Sequence, residues 1–271
     1  MGTQTSLGFI GAGKLAGSVI RGLLRAKFCA PDQIIAGEPN ADFRTALQEE
    51  TGIFVTAENA EVPERAKILF LAVKPGVVLS VARELAAKID DKLVISLAAG
   101  IRLPDMEAAA PARFMRAMTN TPTTVCRGAT ALARGTRTSD DDFATVREIF
   151  RAIGAVTEVS DQQIDAVTAL AGSGPAFVYT VIEALAAGGE KTGLPPDVAL
   201  TLATQTVLGA AQLAAESGAS PEELRRMVIT PGGTTAAGLA AMEKHGTSEG
   251  LIAAVQAAAA RGAEMSQPAA D

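Results

Sequence analysis

Two glycine-rich stretches hold the residue types in this chain that can do chemistry. In Leu7 to Leu24, Gly11, Gly13 and Ala16 follow the spacing G-x-G-x-x-A, directly after the apolar run Leu7 to Ile10. A strand, a glycine turn and a helix start make an anion site, because free backbone N–H groups and the helix dipole face a phosphate pair. Gly11 permits the tight turn, Gly13 lets a pyrophosphate approach the backbone, and small Ala16 lets helix and strand pack closely. Gly11, Ala12, Gly13, Lys14 and Leu15 are therefore expected to line a dinucleotide. In Ile229 to Leu239, Gly232 and Gly233 expose N–H groups where a helix begins, and Thr230, Thr234 and Thr235 surround them with hydroxyls. Neutral donors and a helix dipole, with no charged side chain, suit a carboxylate. An ordinary capped helix start is the plainer reading of the same residues.

Smaller segments belong to the same expected cleft. Glu38 follows the second strand, 21 residues beyond Gly17, where an acid accepts hydrogen bonds from the adenosine ribose and disfavours a 2′-phosphate. It also reads as a solvated turn acid in Gly-Glu-Pro-Asn. Ala72, Val73, Lys74 and Pro75 follow the apolar run ILFLAV, and ligands in parallel sheets sit beyond such C-terminal strand ends. Ala98 and Ala99, in SLAAGI, leave room for a nicotinamide ring. Asn120, in MTNTP, either orients a carboxamide or caps a turn. Ser173, in AGSGPA, breaks a helical region at an expected cleft. Tyr179 reads as a packed tyrosine with its hydroxyl at the surface rather than a proton donor, and His245 as a helix C-cap rather than a base.

These absences narrow the reaction. Reducing a ketone creates an alkoxide and calls for a proton donor near the carbonyl oxygen. Reducing a protonated imine gives a neutral amine and needs no strong acid at that step. The helix after AGSGPA carries no lysine before Lys191, so the hydroxyl-and-amide pocket fits an imine better than a ketone.

The 271 residues are 48% hydrophobic and 20% charged, enough to bury a substantial core in one large domain or two smaller ones. A net charge of −6 argues against nucleic-acid binding through a basic field. Cys29 and Cys126 are the only cysteines, so no disulfide framework or metal site is expected, and a reducing cytoplasm suits the chain. The N-terminus lacks the pattern of a signal peptide. No stretch reads as long and apolar enough to span a membrane; Ala169 to Ala187 comes nearest but contains Ser173, Pro175 and Glu183. Aromatic residues are only 4%, so packing must rely on Ala, Leu, Val and Ile, which suggests closely packed helices and an interface between chains.

The elements that must position these residues fall into two halves. Strands are expected at Leu7 to Ile10, Gln33 to Ala36, Ile53 to Thr56, Ile68 to Val73, Leu93 to Leu97, Arg113 to Met118, Ala129 to Ala133 and Ala155 to Val159. Helices fall between them, at Asp42 to Glu50, Glu64 to Ala66, Val77 to Lys88 and Asp140 to Arg151. The alternation implies a Rossmann-type, doubly wound α/β domain with a mostly parallel sheet. After Asp161 only helical periodicity remains: Ile164 to Leu170, Pro175 to Lys191, Pro196 to Glu216, a short helix capped by Ser220, Thr235 to His245, and Ser248 to Met265. The tail SQPAAD is expected to fray. Residues 1–161 are read as a dinucleotide-binding domain and 162–271 as an all-α substrate-binding and dimerisation domain.

Taken together, GFIGAGKLA, the Asn59 region, LAVKPG, SLAAG, RAMTNTP, GSGPAF, GGEKTGL and VITPGGTTAAGLAAME resemble the pyrroline-5-carboxylate reductase family along nearly the whole chain. The resemblance implies hydride transfer from NADPH or NADH to the ring C=N carbon of 1-pyrroline-5-carboxylate, giving L-proline. It implies that Asn59, the AVKP segment and the SLAAG segment hold the cofactor. It also implies that Thr230 to Thr235 hold the substrate carboxylate, with Thr235 closest to the imine nitrogen, and that the helical half interlocks with a second chain. Three positions depart from the family pattern: Ile229-Thr230 where Thr-Ser is frequent, Gly-Glu-Pro-Asn where Ser or Arg is frequent, and the uncharged loop Ser217 to Ser220. Competing readings are a related imine reductase, a β-hydroxyacid dehydrogenase and a non-catalytic nucleotide-sensing protein. The dehydrogenase would need a lysine at the start of the Pro175 helix, and none is there.

Overall fold

In the computed structural model, which describes residues 6–265, eight strands form one sheet in the order β3-β2-β1-β4-β5-β6-β7-β8. They are β1 (Leu7–Ile10), β2 (Ile34–Gly37), β3 (Phe54–Thr56), β4 (Ile68–Leu71), β5 (Leu93–Ser96), β6 (Arg113–Met118), β7 (Gly128–Arg134) and β8 (Gly154–Glu158). Every pairing is parallel except β6 with β7. The first-half helices are α1 (Lys14–Arg25), α2 (Ala41–Thr51), α3 (Val62–Arg65), α4 (Val78–Glu84), α5 (Leu103–Ala109), α6 (Asp140–Arg151) and α7 (Ile164–Val167).

Burial on both faces explains why the strands read as continuous apolar runs. Along β4, Ile68 and Phe70 face the core beneath α1 and α6, while Leu69 and Leu71 face the core beneath α4 and α5. Phe9 stacks on Phe70 at 4.5 Å between ring centroids, and Phe150 of α6 meets Phe70 edge-on at 6.0 Å. Local caps agree with the sequence: Asn40 accepts the N–H of Phe43 at the start of α2, and Ser139 accepts that of Asp142 at the start of α6. Helix α5 was not expected. Its sequence, LPDMEAA, is only two turns long, and just Leu103 and Met106 reach the core.

The chain divides into two compact units. The first runs to Ser173 and takes in the turns from Ala258 onward; the second is Gly174–Ala257. Helical periodicity begins earlier, near Asp161, because the first helical residues still pack on the sheet: Ile164 is buried in the core beneath α4 and α5. The second unit holds α8 (Gly174–Lys191), α9 (Pro196–Glu216), α10 (Pro221–Met227), α11 (Thr234–Lys244) and most of α12 (Thr247–Met265). The expected fraying of SQPAAD concerns residues 266–271, outside the described residues.

Two segments correct the membrane reading. Asp161–Lys191, which includes α8, and Pro196–Glu216 are long and apolar enough in composition to cross a membrane. Ser173, Pro175 and Glu183 do not interrupt the first: Pro175 sits in the opening turn of α8, where its missing N–H costs nothing. Within the second unit Ala186, Ala199 and Ala203 form a small buried cluster, while Leu200, Leu202, Leu208 and Leu213 of α9 are each about half exposed. A helix that is apolar on nearly every side needs more cover than this small cluster supplies.

Candidate functional site

The sheet order reverses direction between β1 and β4, so the C-terminal ends of these strands open a crevice. Its first wall is the turn from β1 into α1. Gly11 has φ of +90°, and a Cβ there would lie 3.0 Å from the backbone of Ala72, so only glycine fits without strain. Gly13 is the N-cap of α1 with no side-chain cap, and the space where its Cβ would be is open. Ala16 is buried against the sheet. The uncapped helix start and open approach meet the requirements of a pyrophosphate. Ala12, Gly13 and Lys14 also border a smaller hollow of about 290 Å³ that Phe43 of α2 helps to line.

Beyond this turn lies a cleft of about 440 Å³. Leu15 comes from α1, Ala72 to Pro75 from the end of β4, and Leu97, Ala98 and Ala99 from the end of β5. Met118 to Thr121 come from the end of β6. Its remaining wall is Thr168, Gly172 and Ser173. Residues Thr168–Gly172 form a π-helical turn between α7 and α8, a wide turn that recurs at functional sites. The structure thus brings Leu15, Ala72, Val73, Lys74, Pro75, Ala98, Ala99, Asn120 and Ser173 to one cavity. Asn59 lies apart from it, in the turn after β3, where a Cβ at Gly37 would collide with its Oδ1. That oxygen is buried and has no hydrogen-bond partner. A polar donor brought near the ends of β2 and β3 has an acceptor to find there.

Asn120 is more committed than its sequence context suggests. It is 8% exposed; its Oδ1 accepts the N–H of Ala129 at 3.0 Å, and its Nδ2 donates to the carbonyl of Ala171 at 3.1 Å. The amide therefore pins the π-helical turn to β7. Thr119 and Thr130 add a buried hydroxyl pair at 2.7 Å beside it. Asn120→Leu should leave two partly buried backbone groups, the Ala129 N–H and the Ala171 carbonyl, without their side-chain partner, costing about 1–3 kcal/mol of stability. It should also weaken dinucleotide binding several-fold. Urea unfolding and cofactor titration check both; unchanged cofactor binding would show that the turn does not shape the cleft.

Glu38 turns its carboxylate back toward the glycine loop. Its Oε2 accepts the N–H of Ala12 at 3.3 Å, and its Oε1 accepts that of Asn40 at 3.0 Å. Pro39 has not turned it away. Cys29 is half-buried, and desolvation pushes its thiol up to about 11, so it stays protonated as a small apolar residue. Tyr179 is exposed within its unit, and His245 is the C-cap of α11.

The second unit carries the threonine loop. Gly232 has φ of +72°, and the N–H of Gly233 donates to the carbonyl of Thr230 at 2.9 Å, closing the turn that leads into α11. Gly233 is the N-cap of α11, with no side-chain cap and no acid in the first turn. Thr234 and Thr235 open the helix; Thr235 is half-buried, while Thr230 and Thr234 are exposed. By contrast α10, nearby in sequence, is fully capped by Ser220 with Glu223. The start of α11 therefore keeps N–H donors and dipole available to an outside anion.

Comparison with known proteins adds the following. Residues 161–265 match the family profile described as pyrroline-5-carboxylate reductase dimerisation. Residues 6–100 match the one described as NADP oxidoreductase coenzyme F420-dependent. Over 263 residues the chain is 43% identical to a pyrroline-5-carboxylate reductase of Pisum sativum, covering 96% of each protein. A solved pyrroline-5-carboxylate reductase of Coxiella burnetii is similar with a TM-score of 0.89 and 35% identity, over 98% of this chain and 100% of that one. A Plasmodium falciparum pyrroline carboxylate reductase with NADP bound also reaches 0.89, at 27% identity, with the same two coverages.

Proposed function

The chain belongs to the pyrroline-5-carboxylate reductase family, and from that premise we propose which of its residues carry the reduction of 1-pyrroline-5-carboxylate to L-proline. It is an NAD(P)H-dependent oxidoreductase acting on a cyclic C=N bond. When bound, the reduced nicotinamide supplies a hydride to the imine carbon, and a proton completes the amine.

The first part of the chain, 1–161, is the dinucleotide-binding domain. The turn Gly11 to Leu15 holds the pyrophosphate through the N–H groups of Gly13, Lys14 and Leu15, those of Gly11 and Ala12 being taken by Gly37 and Glu38; Glu38 and Asn59 hold the adenosine end, and Ala72 to Pro75 with Ala98 and Ala99 the nicotinamide end. The uncapped, ungapped approach at Gly13 supports the first of these assignments. Ser173 lines the cleft and adds a hydroxyl for the substrate. Residues 162–271 bind the substrate and associate with a second copy. The match to a dimerisation family, together with the half-exposed leucines of α9, supports self-association. The two free thiols favour a reducing compartment such as the cytoplasm.

One observation carries the substrate assignment: α11 begins without any internal cap, inside a ring of threonine hydroxyls. The carboxylate takes the N–H groups of Gly232, Thr234 and Thr235, the Gly233 N–H being held by the Thr230 carbonyl, and the hydroxyls of Thr230 and Thr234 complete its shell. Thr235 turns its hydroxyl to the imine nitrogen and either orients the ring or relays a solvent proton to that nitrogen before the hydride arrives. No strong acid is required, because the protonated imine becomes neutral as hydride arrives. Purified protein mixed with 1-pyrroline-5-carboxylate and NADH or NADPH should consume the near-ultraviolet absorbance of the reduced cofactor and form L-proline. Absence of turnover with both cofactors would sink the reading.

A further inference from the structure

We propose that Glu38 makes this enzyme select NADH over NADPH. The inference rests on the cofactor reading above and concerns only the 2′ position of the adenosine ribose. Glu38 follows β2, and its backbone is held from both sides: its N–H donates to the carbonyl of Thr56 at 2.9 Å, and its own carbonyl accepts Arg44 Nη1 at 2.9 Å. The carboxylate is then aimed by two backbone donors, Ala12 of the glycine loop and Asn40. It is a fixed negative charge at the point where the β2 end meets the phosphate-binding turn. An ionised carboxylate only accepts hydrogen bonds, so it can take the hydroxyls of an unmodified ribose. A 2′-phosphate brings up to two further negative charges and no strong donor to that place.

The nearby cations do not reverse this. Arg44 spends Nη1 on the carbonyls of Glu38 and Pro39, which anchors the acid instead of opening toward it. Arg21 of α1 is paired in two hydrogen bonds with Glu50, and the Arg65 guanidinium lies over the Phe54 ring. Lys14 is exposed at the start of α1, beside the pyrophosphate position. The bond to Ala12 also ties the discriminating charge to the glycine loop itself, so the same contact that shapes the loop sets the preference.

Direct titration of the full-length protein with NADH and with NADPH, followed by nucleotide fluorescence without substrate, tests this. NADH should bind at least about tenfold tighter, the ratio that a modest like-charge contact produces. Raising the salt concentration should narrow that ratio, because the repulsion is screened. Glu38→Gln, which keeps shape and loses charge, and Glu38→Ser should each narrow it about tenfold, mainly through tighter NADPH. Thermal unfolding of each variant establishes that it is folded. NADPH binding as tightly as NADH to the wild type, or a ratio unmoved by Glu38→Gln, overturns the proposal while leaving the cofactor reading intact. Failure of both nucleotides to bind overturns the two together.

Discussion

Thr235→Ala should lower the turnover of 1-pyrroline-5-carboxylate by about a hundredfold or more, the range expected when a positioned proton donor or transition-state hydrogen bond is removed. Its hydroxyl can both donate to and accept from a ring nitrogen. Its half-buried place in the first helical turn restricts it in a way that exposed Thr230 and Thr234 are not. Thr235→Val keeps the branched shape and should be as inactive as Thr235→Ala. Thr235→Ser keeps the hydroxyl and should recover most of the rate. Affinity for NADH or NADPH, titrated without substrate, should change little, because the residues assigned to the cofactor lie in the other compact unit. Thr230→Ala should act differently, raising KM more than it lowers kcat, since a carboxylate contact is made equally in ground and transition states. Wild-type turnover by Thr235→Val would remove Thr235 from the mechanism.

The second large effect is expected on stability. Arg116 of β6 is among the most buried side chains in the protein, at 1% exposure. Its Nη1 donates to Asp161 Oδ1 at 2.7 Å, and Asp165 Oδ1 lies 3.9 Å from its Nη2. Asp161 also accepts the N–H of Leu103 at 3.3 Å, and Asp165 pairs with Arg102 at 3.3 Å. The network joins β6, the start of α5 and the segment leading into α7, behind the wall that carries the π-helical turn. Arg116 Nε and Nη2 have no hydrogen-bond partner, so the guanidinium depends heavily on Asp161. Asp161→Ala should therefore cost about 3–5 kcal/mol, the usual penalty for leaving a buried charge without its counterion. That is a large share of the about 5–15 kcal/mol that holds a domain folded. Arg116→Met should cost less, because it removes the buried charge and fills the space with apolar atoms. Urea unfolding at a fixed protein concentration checks this, since self-association makes stability depend on concentration. A loss below about 1 kcal/mol for Asp161→Ala, against the figure expected for a buried pair, would show that water or Asp165 supports the arginine instead.

The difference between these two residues shows what is readable from a sequence. Thr235 stands out because its neighbours are unusual: two glycines and three threonines at a helix start are a local pattern with a local consequence. Arg116 does not stand out. Within RFMRAM it looks like one polar residue in a strand, and nothing nearby points to an acid about 45 residues away. Asn120 lies between the two. Its turn context is visible, but its partners, Ala129 and Ala171, are brought to it by the packing of β7 and the π-helical turn. Helix α5 leaves too weak a periodic signal in the sequence, because its two turns bury only two residues. The apolar length of α8 is masked in the sequence by one proline and one acid, although neither breaks a helix where it stands.

From the sequence alone follow the strand–turn–helix alternation and the readings of the glycine turn as a dinucleotide receptor and of the threonine loop as a carboxylate receptor. Each depends on backbone conformation and donor count within a dozen or so residues, and those are set by local residue types. Only the tertiary structure decides that Glu38 bends back onto Ala12, that Asn120 ties the π-helical turn to β7, and that Arg116 is neutralised by Asp161. Such facts depend on which distant backbone reaches a side chain first. A carboxylate at the end of β2 has the same residue type whether it faces solvent or a ribose, and its direction is settled by the N–H groups that the folded sheet places beside it.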